Sequence, residues 1–213
     1  MVDGMKIYID GCSWTAGFGL PEGNSLADFV SRIDHAASTF NFSYSGKSNS
    51  SILDDAIKNQ QLIGAADWVV IGLTTPYRYN MYTHNNQRID FVPSGTSVVL
   101  DQYREQTFVV AEDEFAVDQY QKSFYTVNND HYHVLSTAKN YFALKSIAGD
   151  KLRCFSVHQH QDPVYDQCFD RDTWIHDWRY FPIMDEDFQP DNGHLDMTGM
   201  QKLAQMVLEN VCG

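Results

Sequence analysis

At 213 residues, with 43% hydrophobic and 20% charged residues, the chain suits one α/β domain with a sizeable core. A formal net charge of -13 excludes a nucleic-acid surface, which needs a concentrated basic face. No apolar run approaches the roughly 20 residues of a membrane span, and no basic stretch followed by an apolar one opens the chain, so a cytoplasmic protein is expected.

The elements then follow in chain order. Residues 5–10 read as a first strand, with Ile7 and Ile9 alternating with polar or amphipathic neighbours, and Gly11 breaks it. Asn24 or Ser25 is placed to cap a helix over Leu26–His35, whose Leu26, Phe29, Val30 and Ile33 share one face. Thr39 to Tyr44 alternates as a second strand, and Ser45 to Ser51 is a polar turn. Ile52, Ala56, Ile57 and Leu62 mark a second helix. Ala66 to Leu73 is almost continuously apolar, as suits a buried central strand. This βαβαβ order predicts a parallel sheet with right-handed crossovers.

Regularity lapses from Thr74 to about Asp130, where Ser97–Leu100 and Thr107–Val110 are candidate hairpin strands. The stretch is too long to be structureless in a compact domain, and reads as an insertion over the carboxyl edge of the sheet, a lid or specificity region. A helix over 129–148, a fourth strand over Leu152–Val157, a loop-rich stretch with a short helix near Asp172–Trp178, and a helix over 196–211 complete the chain. Met200, Leu203, Ala204, Val207 and Val211 form the buried stripe of the last one.

Two stretches carry chemistry. In Gly11-Cys12-Ser13-Trp14-Thr15 a serine follows a glycine at the carboxyl end of a strand, where α/β proteins collect catalytic groups and where backbone N–H groups are free. In Asp191-Asn192-Gly193-His194 a single turn brings the carboxylate onto one imidazole nitrogen, leaving the other to take a proton from a serine. By itself Ser13 would be a turn serine and His194 a helix-start histidine; the pairing raises both.

Serine near the N-terminus followed by Asp-x-x-His near the C-terminus resembles the SGNH (GDSL-type) hydrolase superfamily, small members of which are familiar from bacteriophage genomes. The resemblance covers both ends and the first three strands. It implies a three-layer α/β/α sandwich around a parallel sheet, flavodoxin-like in order, in one domain over 1–213 with the insertion at about 74–130. It also implies a cofactor-free ester hydrolase: nucleophile Ser13, base His194, orienting acid Asp191, and an oxyanion site from the N–H groups of Ser13 and Gly46 with Thr74. Two positions depart from the family pattern. Cys12 replaces the usual acid before the serine, and Thr74 stands where the third block has asparagine, so a hydroxyl replaces an amide donor. Trp14, Asn49 and Arg78 are further candidates to touch a small-molecule or carbohydrate ester, Arg78 by gripping a substrate oxygen or carboxylate.

Competing readings are a non-catalytic SGNH-like module that binds glycans or serves in assembly, fed by Cys12 and Thr74, and a flavodoxin-like nucleotide binder, disfavoured because no glycine-rich phosphate loop is present. His158 and His160, with Asp162, His131 and His133, invite a metal site, but no carboxylate has a diagnostic spacing and surface histidines are the expectation. Trp174, Trp178, Tyr180 and Phe181 suit either a sugar platform or a core cover, the latter favoured. Cys12, Cys154, Cys168 and Cys212 are too dispersed for a zinc knot and are expected as thiols.

Overall fold

Four parallel strands form the centre of the protein in a computed structural model that describes residues 4–82, 88–91, 123, 128–183, 187–188 and 193–212. They are β1 (Lys6–Gly11), β2 (Ser38–Asn41), β3 (Trp68–Leu73) and β6 (Leu152–Ser156), in the spatial order β2-β1-β3-β6. The expected sandwich follows, with helices on both faces. The Ser97–Leu100 and Thr107–Val110 stretches lie outside the described residues.

Alternation along β1 sorts the two layers. Ile7 and Ile9 face α2 (Leu26–Ile33) and α7 (Met197–Cys212), packing with Phe29, Val30, Leu203 and Val207. Tyr8 and Asp10 point the other way. There Tyr8, Ile71 and Cys154 meet α3 (Asn49–Lys58), α4 (Gln60–Ala65) and α5 (Asp130–Ala148) through Ile52, Ile63 and Tyr141. Burying one such aliphatic side chain is worth about 1.5–3 kcal/mol, so both layers are held largely by this contact.

Helix boundaries follow local hydrogen bonding. Ser25, not Asn24, caps α2: its Oγ accepts the Asp28 N–H at 3.3 Å while Asp28 accepts the Ser25 N–H at 2.8 Å. The single helix expected through Leu62 is instead broken at Asn59, which leaves helical geometry (φ -105°, ψ 24°) while both its backbone N–H, at 2.9 Å, and its side-chain amide, at 2.8 Å, donate to the Asp55 carbonyl. The short helix expected near Asp172–Trp178 is also corrected. Arg171–Thr173 alone is helical there, as a 3₁₀ segment, and Trp174 runs extended to bridge Cys154 at the edge of β6. Trp174, Trp178 and Phe181 are buried core residues, whereas Tyr180 is exposed. A helix read as loop, α6 (Pro163–Cys168), begins with the Asp162 carboxylate accepting the Val164 N–H at 2.9 Å and proline at the first turn. That signature was present in the sequence.

Beyond β3, an antiparallel hairpin of β4 (Tyr79–Tyr82) and β5 (Arg88–Phe91) is fastened to α3. Asp54 accepts from Asn80 and Tyr82, both at 2.7 Å, and Asp55 accepts from Arg88 at 2.7 and 3.0 Å. This part of the expected insertion is therefore pinned to a helix by charge. Among the described residues no helix is long and apolar enough to cross a membrane.

Candidate active site

The site forms where β1 and β3 end. Gly11 and Gly72 are register partners, and the buried Thr15 side chain sits against both. A Cβ on Gly11 would lie 2.1 Å from Thr15 Oγ1, and one on Gly72 would lie 2.4 Å from that atom and 2.7 Å from the Phe155 ring. Both positions must be glycine for the one-turn helix α1 (Ser13–Ala16) to press onto the sheet. Ser13 opens that turn, where backbone N–H groups have no intrahelical acceptor.

His194 arrives from the other end of the chain. Gly193 before it is left-handed at φ 64°, and Asp196 after it caps α7 by accepting the Gly199 N–H at 2.8 Å. A backbone bond from the Asp196 N–H to the Asp187 carbonyl, at 2.8 Å, ties the start of α7 to that residue. The result is Nε2 of His194 2.9 Å from Oγ of Ser13, across 181 residues of sequence. Trp14 stacks on the imidazole with ring centres 4.8 Å apart, and Phe18 packs on it at 4.9 Å. Trp14 thus forms a wall against the His194 ring. Asp191 lies outside the described residues.

The opposite wall is built by the β2–α3 loop and the end of β3. Gly46 is left-handed at φ 83°, and the loop is tied to β1 by the Tyr44 N–H donating to the Gly11 carbonyl at 3.3 Å. Asn49 is only 2% exposed. Its Oδ1 accepts the Thr74 N–H at 2.9 Å and its Nδ2 donates to the Thr74 carbonyl at 3.0 Å. Both ends of the amide, expected from sequence to touch substrate, are thus engaged with the Thr74 backbone. Thr74 itself is fully buried, and its Oγ1 has no hydrogen-bond partner among the described residues.

The sequence reading missed the charges beneath this wall. Lys47, next to Gly46, is completely buried and pairs with Asp10 at 2.5 Å and Asp55 at 2.6 Å. Asp10 also accepts the Gly11 N–H at 2.7 Å. Burial pushes the Asp10 carboxyl up to about 7 against the opposing pull of Lys47. Asp90, from β5, accepts the Ser48 N–H at 2.8 Å and the Ser51 hydroxyl at 2.6 Å. Partners 37 and 42 positions apart leave no local sequence signature.

The histidines beyond β6 are also unlike the surface residues expected. His160 is buried, with its Nε2 3.0 Å from the Ser156 hydroxyl, and burial drives its pKa down to about 3. His158 meets Trp14 edge-on at 6.1 Å; burial first, then the charges of Arg78 and His194, lower it to about 4. Both are neutral near pH 7. Among the described residues no group of three or more metal-ligating side chains comes together.

Fold and site together define a three-layer α/β/α protein carrying a serine–histidine pair at the carboxyl edge of its parallel sheet. No family profile and no curated sequence matches the chain. Solved structures do. A lipase/acylhydrolase from Enterococcus faecalis superposes with a TM-score of 0.55 at 15% identity, over 97% of this chain and 95% of that one. The psychrotrophic esterase EstA from Pseudoalteromonas sp. gives 0.52 at 14% identity, over 97% and 96%. A member of the lipolytic protein G-D-S-L family from Veillonella parvula gives 0.52 at 14%, over 96% and 97%. The chain has the fold of the GDSL-type (SGNH) lipolytic hydrolases over nearly its whole length.

Proposed function

We propose that this protein hydrolyses carboxylic esters, a small acyl group such as acetate on a carbohydrate being the favoured substrate. The observation that carries the reading is the 2.9 Å approach of His194 Nε2 to Ser13 Oγ. That is the distance at which an imidazole takes a hydroxyl proton. The fold shared with lipases and esterases supports the same reaction class.

In this reading Ser13 Oγ attacks the acyl carbonyl as His194 accepts its proton, giving a tetrahedral intermediate. Asp191 orients the imidazole and stabilises its charged form. The N–H groups of Ser13 and Gly46 hold the oxyanion, joined by the Thr74 hydroxyl, a buried donor without a partner among the described residues. His194 then protonates the leaving alcohol. Water, deprotonated by His194, repeats the attack on the acyl-serine and frees the acid. Asn49 holds the Thr74 backbone from both sides, so the residue is in place before substrate arrives.

The test is turnover of p-nitrophenyl acetate, with labelling by a fluorophosphonate probe. Wild type should turn over and label, and Ser13→Ala and His194→Ala should each lose about 10³-fold or more in kcat. A wild type no faster than either variant and unlabelled would move the assignment to a glycan-binding or assembly module that keeps the geometry alone.

A further inference from the structure

Leu73 and Ser156 are register partners at the carboxyl ends of β3 and β6, so the loops that follow leave the sheet side by side. One carries Thr74 to Arg78, the other His158 to Asp162. Thr75, Pro76 and Tyr77 of the first and His158, Gln159 and His160 of the second wall a cavity of about 530 Å³. Arg78 is the next residue of the first loop.

Four residues of these loops have buried polar atoms without a hydrogen-bond partner among the described residues: Thr74 at Oγ1, His158 at Nε2, His160 at Nδ1, and Arg78 at Nε and Nη1. The half-buried Arg78 guanidinium, with two buried nitrogens idle, is the exception among them, because a charge withdrawn from water is normally paired. Three described carboxylates on the neighbouring elements are engaged elsewhere. Asp162 caps α6 through the Val164 N–H at 2.9 Å, Asp130 hydrogen-bonds the Tyr77 hydroxyl, and Asp54 holds Asn80 and Tyr82. His158, close enough to Arg78 to feel its charge, is held neutral and adds a polar atom without adding repulsion.

We propose that Arg78, with His158 beside it, receives a carboxylate carried by the substrate, so that the ester hydrolysed is an anionic one. The inference rests on the reading of Ser13 as an esterase nucleophile and specifies its substrate. The carboxylate of a dicarboxylic half-ester or an acidic sugar would complete the idle guanidinium donors while its ester carbonyl lies at Ser13. A formal net charge of -13 repels anions overall, so a preference for one has to come from a local site.

The experiment compares two ligands of nearly the same shape, monomethyl succinate and methyl butyrate, one ending in a carboxylate and the other in a methyl group. Their binding to Ser13→Ala, which cannot turn them over, is measured by calorimetry. Ser13→Ala should bind the half-ester at least tenfold more tightly. Adding Arg78→Gln should abolish the difference, whereas adding Arg78→Lys, which keeps the charge and guards against a folding defect, should retain part of it. No preference in Ser13→Ala, or a preference that survives Arg78→Gln, overturns the proposal. Because no turnover is involved, this result is independent of the p-nitrophenyl acetate test: an inactive protein that still prefers the half-ester fails only the esterase reading.

Discussion

The two faces of the sheet hold the two walls of the site by different forces. On the α2–α7 face, packing is hydrocarbon against hydrocarbon, and it sets α1 and the start of α7, hence Ser13 and His194. On the α3–α5 face, an apolar layer gives way near the carboxyl edge to Lys47, Asp10, Asp55, Arg88 and Asp90, which set the loop of Gly46 and Asn49. Apolar packing is non-directional and tolerates small shifts. A buried charge network fixes positions sharply but fails when one member is removed. The wall that carries the proposed oxyanion donors is therefore the one held by directional contacts.

Substitutions that separate the two forces test this contrast. The largest effect is expected for Lys47→Met, which leaves Asp10 and Asp55 facing each other in the interior. Breaking a buried pair in this way costs about 3–5 kcal/mol, read by urea unfolding at pH 7. The loss should shrink at pH 5, where Asp10 takes a proton in place of the lysine. Leu203→Ala, in the fully buried stripe of α7, should cost about 2–5 kcal/mol. That loss should be the same at pH 5 and pH 8. Equal pH behaviour of the two variants would erase the distinction between the faces.

A smaller effect concerns the slope of stability itself. With its folded pKa raised from 3.8 to about 7, Asp10 binds more protons in the folded state than in the unfolded state. Its contribution is therefore fully present below about pH 4 and is lost as pH rises through about 7. Asp10→Asn keeps an oxygen to accept from Lys47 and Gly11 but cannot ionise. Unfolding at pH 5 and pH 8 should show a fall for wild type of at least the roughly 1.4 kcal/mol that one pKa unit is worth, and a flatter response for the variant. Parallel slopes would mean that Asp10 stays ionised throughout.

The uneven legibility of the sequence has the same origin as the difference between the faces. Ile7 and Ile9, the Leu26–Val30 face and the Met200–Val211 stripe were readable because burial on one side of a strand or helix imposes a period of 2 or 3.6. A carboxylate and a lysine 37 residues apart impose no period, so the Asp10–Lys47 pair had no signature. Asn49 shows the same limit: no local pattern announces that both ends of its amide meet the Thr74 backbone, 25 positions on.

The sequence by itself determined the order of the four sheet strands and of the long helices beside them, the parallel sheet that order requires, and the two stretches that supply Ser13 and His194. These are consequences of local pattern and of the narrow set of connections a βαβ chain allows. Only the tertiary structure decided that Ser13 and His194 meet at 2.9 Å, that Lys47 is buried between Asp10 and Asp55, and that Arg78 has idle donors beside His158. Each depends on distances between residues far apart in the chain, which local periodicity cannot encode and which only packing around a common core brings about.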